Sequence, residues 1–391
     1  MKKLIVLFLF FILLAVYFFT KDKIGDLRPS LVPSSKDLVA EILDAQQTGS
    51  RPDIPLTLPE GFQIGVFESG LINVRDLQFT PTGTLLASLM KEGSVVALPD
   101  KNKDGQADGI YTVIKDLQKP HGIAFYKGKL FVAQEESVSR YSYDETNFVA
   151  TFDKKLFDLP IGGRHKTRSI VFDKKGNLYV SLGSTCDTCI EKNAFIATVL
   201  ISDSEGKSPR VYSKGLRNAV FLAVNPVTDE IYATEMGRDF LGNTTPPDEI
   251  NILSDNGNFG WPFCYGKKVW DKNFGFKDES YCRNTISPIY EIPAHSAPLG
   301  ITFIKSSQVP SSWQNDILVS YHGSWNSTVP VGYKIVRIST KGTPSEHDFI
   351  TGFISGSDAL GRPVDVEFDT DGSLYISDDK ANAIYKVIAK P

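Results

Sequence analysis

The 391-residue chain reads as an all-β protein, a six-bladed β-propeller preceded by an N-terminal hydrophobic helix. Three observations predict this. Beyond the N-terminal run no segment keeps a helical hydrophobic period. Short apolar stretches alternate instead with Gly, Asp and Asn turns. One hairpin-sized unit then recurs six times along the chain.

The first element is residues 1–24. Met1-Lys2-Lys3 precedes an unbroken apolar run from Leu4 to Phe19. Its length suits a signal-peptide core or a short membrane span. Tyr17, Phe18 and Phe19 stand where a cleavage site wants small residues, so an uncleaved anchor is expected, with a removed signal peptide as the other reading. Lys2 and Lys3 would stay in the cytoplasm, although Lys21 and Lys23 oppose that bias. The body is therefore expected to be periplasmic or otherwise extracytoplasmic, held to the inner membrane. Residues 25–55, rich in Pro and Ser, read as a linker.

Residues 56–391 carry the repeats. Each copy has a polar lead-in, an apolar strand, a turn and a second apolar strand that often closes on Ser, Thr or Ala. The copies are Val74–Ser88, Pro120–Ala133, Thr167–Ser181, Asn218–Thr234, Pro298–Ser320 and Pro363–Ser377. Six irregularly spaced hairpins match propeller blades of four strands each. An insertion is expected from about Asp239 to Tyr290.

Exported proteins can hold disulfides. Cys186, Cys189, Cys264 and Cys282 allow three pairings, of which Cys186–Cys189 with Cys264–Cys282 is the simplest. A redox motif or half a zinc site are the other readings of Cys186-Asp187-Thr188-Cys189. The net charge of -4, with no basic stripe, argues against nucleic acid as a partner.

In a propeller the residues leading into the inner hairpins gather at one end of the channel. Here they are Arg75, His121, His165 with Arg168, Arg217 with Asn218, His295 and Arg362, and His322 follows the fifth hairpin. Such a rim suits an anionic small molecule, because Arg pairs with carboxylates and a neutral His takes a proton near pH 7. His347, among Ser and acids, reads as an ordinary surface residue.

These residues now carry a resemblance. Gly215-Leu216-Arg217-Asn218, Asp248-Glu249-Ile250-Asn251, Gly257-Asn258-Phe259-Gly260-Trp261-Pro262, Gly361-Arg362-Pro363-Val364-Asp365 and the His165 segment resemble motifs of the quinoprotein sugar dehydrogenases. That group, the soluble glucose, aldose and sorbosone dehydrogenases, comprises six-bladed propellers that use pyrroloquinoline quinone (PQQ). The likeness covers about Leu58 to Val387. Ala297-Pro298 and His322-Gly323-Ser324-Trp325 look nearest to the sorbosone branch. The resemblance implies a sugar substrate and an external electron acceptor, a quinone or a cytochrome. It implies His165 as general base and Arg217 at the oxygen that gains charge. Asn218, Arg362 and His322 would hold the cofactor, with His121 and Arg168 on the same rim. The chain departs from the glucose enzymes in having His322 for a Lys, Arg164 for an Asp and Ala219 for a Pro.

Two calcium sites are expected. Asp100, Asn102, Asp104 and Asp108 follow the spacing of a calcium loop, with Gly105 at the turn and Tyr111 in place of the closing Glu; a plain Asp/Gly turn is the other reading. By resemblance, Gly237 and Arg238 would offer backbone oxygens to a second ion near PQQ. The competing readings are a non-catalytic propeller that binds a partner or an anionic glycan, and a calcium-dependent lactonase. The lactonase would want a carboxylate-rich centre.

Overall fold

The computed structural model describes residues 54–390. The hydrophobic run at the N-terminus and nearly all of the expected linker lie outside the described residues. Six main sheets make six blades. Their innermost strands are Val74–Phe79, Ile123–Tyr126, Ile170–Phe172, Ala219–Val224, Pro298–Phe303 and Pro363–Phe368. Each packs beside the next, and the sixth packs against the first, so the ring is closed. Blade 6 takes its outermost strand, Phe62–Ser69, from the start of the body and pairs it with Ala383–Ala389 near the end. The body begins by Ile54, which packs with Leu56 and Leu58 against blade 6.

The blades read as nearly continuous apolar runs because both faces of each sheet are covered. In Leu85–Leu89 every residue is buried. Leu85, Ala87 and Leu89 point into the seam with blade 6, while Leu86 points into the seam with blade 2. The core is thus six apolar wedges, one per seam.

The hydroxyl that closes many of the repeats has a structural cause. Ser377 Oγ accepts from Asp365 N in its own blade and donates to Arg75 O in the next. Thr234 reaches Leu299 O, and Ser320 reaches Val364 O, in the same way. These side chains satisfy backbone groups freed where the innermost strands bulge.

The expected insertion is corrected. Asp248–Ile252 is the third strand of blade 4 and Tyr290–Ile292 its outermost. The added segment is 253–289. Its Gly257–Asn258 joins blade 3 as a parallel fifth strand, and its short helix Glu279–Arg283 carries Cys282. Acidic letters at Asp248 and Glu249 hid the strand, yet both residues are buried. Both simplest disulfides are present, Cys186–Cys189 and Cys264–Cys282.

Candidate active site

His165 sits in the loop before the innermost strand of blade 3. Its Nδ1 lies 2.9 Å from the Ser184 carbonyl oxygen and 3.1 Å from Ser184 Oγ. A carbonyl only accepts, so Nδ1 carries the proton and Nε2 keeps its lone pair. Among the described residues nothing hydrogen-bonds Nε2. Burial, then the neighbouring Arg217, pushes the ring's pKa down to about 3, which keeps it neutral at physiological pH. Ser184 Oγ in turn donates to the Cys186 carbonyl, so the disulfide loop helps aim the histidine. Gly183 fills the gap between His165 and Asn218. A Cβ there would lie 2.6 Å from His165 Cβ and 2.4 Å from Asn218 Oδ1.

Arg217 leads into blade 4 and is almost wholly buried. Its Nη2 donates to Asp187 Oδ1 at 2.9 Å and Asp239 Oδ2 at 3.0 Å, and its Nε donates to the Asp187 carbonyl at 3.1 Å. Asp187 is the residue inside the Cys186–Cys189 loop. It also accepts from the Asp239 backbone N–H, and its carbonyl accepts from Trp261 Nε1. Arg238 pairs with Asp271 and approaches Asp187 at 3.8 Å. Asn218 donates through its backbone to Glu235 Oε1 and through Nδ2 to the Met236 sulfur.

On the far side, His322 Nε2 lies 2.9 Å from Asp379 Oδ1. A carboxylate only accepts, so Nε2 carries that proton. Burial, then Arg362, pulls His322 down to about 4. Burial alone would raise Asp379, but His322 and Arg75 outweigh it and hold the carboxyl below the usual range. Arg362 donates to the carbonyls of His322 and Gly323 and lies over the Tyr333 ring. Among the described residues it has no carboxylate within ion-pair distance, so its charge is open to an anion.

The cationic rim is accompanied by acids. Arg75, Arg217, Arg238 and His322 each have a carboxylate partner, since a buried charge without one is costly. Asp187, Asp239, Asp271 and Asp379 are not evident as site residues in the sequence, because they lie outside the lead-ins to the inner hairpins. Asp239 and Asp379 lie just past the second strands of blades 4 and 6.

Two further expectations change place. Arg168 is fully buried, and its guanidinium donates to the carbonyls of His165, Thr167 and Pro160. It braces the His165 loop and does not face the rim. His121 is fully buried, edge-on to Phe221 from blade 4, and among the described residues neither ring nitrogen has a hydrogen-bond partner. His295 bonds the Gly242 carbonyl and ties two loops together.

In the Asp100 loop the carboxylates turn onto their own backbone. Asp100 accepts from Asp104 N and Gly105 N, Asp104 from Gln106 N, and Asp108 from Lys101 N. Asn102 Oδ1 accepts from Asp104 N as well. The carboxylates of this loop do not converge on a point. Among the described residues one group of three metal-type side chains does converge, Cys186, Cys189 and Glu191, and its sulfurs are joined in a disulfide.

A better cation cradle lies beside Arg217. Glu235 and Glu249 face each other on adjacent strands of blade 4. Both are buried, and among the described residues Glu235 Oε2 has no hydrogen-bond partner. Burial, then the opposed Glu249, raises the Glu235 pKa well above the ordinary value. The two carboxyls line a cavity of about 20 Å³ with Gly237 and Arg238 at its edge, room for one water or one ion.

Comparison with known proteins fits this geometry. The chain is 33% identical over 358 residues to an uncharacterised protein of Borreliella burgdorferi, covering 85% of this chain and 90% of that one. It is 24% identical to a pyrroloquinoline quinone-dependent pyranose dehydrogenase of Coprinopsis cinerea, covering 86% of this chain but 55% of that longer protein. The calcium structure of a Trichoderma reesei carbohydrate-active enzyme of family AA12 superimposes with a TM-score of 0.76 at 21% identity, covering 88% of this chain and all of that one. The TrAA12-like family model matches residues 56–390, the whole propeller with its paired rim, and the chain belongs to that family.

Proposed function

We propose that this protein is an exported PQQ-dependent dehydrogenase that oxidises an aldose or sugar aldehyde and passes the electrons to an external quinone or cytochrome. The observation that carries the reading is His165, held neutral with Nε2 free beside Arg217 and Asn218. When bound, PQQ supplies a quinone that accepts two electrons from the sugar. His165 Nε2 takes the substrate hydroxyl proton, while the Ser184 carbonyl fixes the ring through Nδ1. Arg217 Nη1, whose bond to the Met236 carbonyl is a long 3.4 Å, would be the donor offered to an oxygen that gains charge. Arg362 would pair with a cofactor carboxylate and Asn218 would steady the ring system. Two disulfides suit an oxidising compartment outside the cytoplasm.

The test is dye reduction by protein loaded with PQQ and calcium, across a panel of aldoses and sorbosone. Turnover that needs both PQQ and a sugar supports the reading. Folded, calcium-loaded protein that binds no PQQ overturns it in favour of a binding module. Gly183→Ala should lower kcat by about 10²-fold, because the new methyl displaces His165 and Asn218 together. Steady-state kinetics on the folded variant checks this.

Calcium is assigned to the Glu235–Glu249 cavity, where a divalent ion would relieve two opposed buried carboxylates. Millimolar calcium should raise the melting temperature of the wild type by several degrees and leave Glu235→Gln nearly unmoved. Equal shifts in both would place the ion elsewhere.

A further inference from the structure

We propose that Trp325 and Phe240 form a subsite for a second sugar ring, so that the preferred substrate is the reducing end of a neutral oligosaccharide. This rests on the sugar-dehydrogenase reading and narrows its substrate class.

Trp325 and Phe240 are 40% and 36% exposed, although most large side chains of the propeller are buried. Their rings meet edge to face, with centroids 6.4 Å apart. They come from different loops, after the second strands of blades 5 and 4, and those loops are tied together. Asn326 Nδ2 donates to Asp239 Oδ1 at 2.7 Å, and Thr328 N donates to Asn243 Oδ1 at 3.2 Å. His295 holds the Gly242 carbonyl at 2.7 Å. The aromatic pair is thus a fixed surface, organised before any ligand arrives.

Arg164 links this surface to the base. It directly precedes His165, and its guanidinium lies 5.9 Å from the Trp325 ring centroid. Its one ion pair among the described residues is a long 3.4 Å to Asp239, which Arg217 and Asn326 already occupy. Most of its N–H groups are left for a ligand. Exposed aromatic rings beside open hydrogen-bond donors suit a pyranose, which offers a C–H face and hydroxyls. The platform thus meets the guanidinium of the residue that adjoins His165 in the chain. On this proposal a first ring sits at His165 and the next ring takes the platform. The charges argue for a neutral ligand, because Arg164, Arg217 and Arg238 are balanced by Asp187, Asp239 and Asp271.

The experiment compares kcat/KM for glucose, maltose, cellobiose and maltotriose in the PQQ-loaded wild type, Trp325→Ala and Val227→Ala. Val227 is an exposed residue in a hairpin turn of blade 4 and serves as the control. The ratio of maltotriose to glucose should fall about tenfold in Trp325→Ala, mainly through KM, and hold in Val227→Ala. Calorimetric titration with maltotriitol, which lacks a reducing end, should show affinity about tenfold weaker in Trp325→Ala. An unchanged ratio with unchanged maltotriitol affinity overturns the proposal. So does a Trp325→Ala defect that appears only as the dye concentration is varied, which would make the platform an acceptor site. Failure of the wild type to oxidise any sugar sinks the dehydrogenase reading, and maltotriitol binding still judges the subsite.

Discussion

Replacing His165 with alanine is expected to lower kcat by ~10²–10⁴-fold while PQQ stays bound. The ring supplies the lone pair, and its other nitrogen is tied to Ser184, so no neighbour takes over with the same aim. Cofactor retention, followed by its absorbance after gel filtration, separates lost chemistry from lost binding. Near-normal turnover would remove His165 from the base role. The same variant reports on pH. The folded pKa of His165 is about 3, below its unfolded value near 6.5. The unfolded chain therefore binds the proton more readily. The contribution of a neutral His165 to stability is full above about pH 6.5 and is lost as pH falls toward 3. Melting temperatures of the apo wild type and His165→Ala should differ most in the wild type's favour near neutrality, with the difference shrinking below pH 6.

Asp239→Ala is expected to cost about 3 kcal/mol of stability, because it leaves Arg217 buried with one carboxylate fewer. For a body of this size that is a fall in melting temperature of about 4 °C. The loss spreads beyond one pair. Asp239 Oδ2 is shared by Arg217 and Arg164, and Oδ1 receives Asn326. The variant should thus loosen the base's loop and the Trp325 loop together, and lower kcat/KM by at least tenfold. Denaturant melts with kinetics on the folded fraction measure both. Asp239→Asn, which can still accept from Asn326, should recover part of the stability. Full stability in the alanine variant would mean that Asp187 alone suffices for Arg217.

The ring of blades was legible because the inner hairpin is the most constrained part of each repeat. Its hydroxyl, turn and paired apolar strands answer to local backbone needs, and those needs recur. His165, Arg217, Asn218 and Arg362 stand out in the sequence for the related reason that each lies at the entry of a repeat. The acids around them were not. Asp187 sits between two cysteines whose spacing points to disulfide chemistry, and Asp239 and Asp379 look like loop residues. Their importance comes from partners distant in the chain, Arg217 for the first two and Arg75 with His322 for the third. The Asp100 loop shows one spacing that serves two ends. Its spacing is that of an ion site, but the same spacing also builds turns in which carboxylates cap their own backbone. The buried strand Asp248–Ile252 was hidden because two acids in a strand read as surface.

Blade 6 is shared between the two ends of the body, with Phe62 opposite Ala389 and Ser69 opposite Ala383. On the ribosome the first strand must therefore wait, unpaired, until nearly the whole propeller has been made. Five blades can assemble as a growing arc before the sixth joins head to tail. Ring closure is then a late, long-range event, of the kind that sets a slow folding rate. A nascent chain stalled before Ala383 should persist as an open arc with the edge of Leu374–Asp378 uncovered, a template for pairing with another chain.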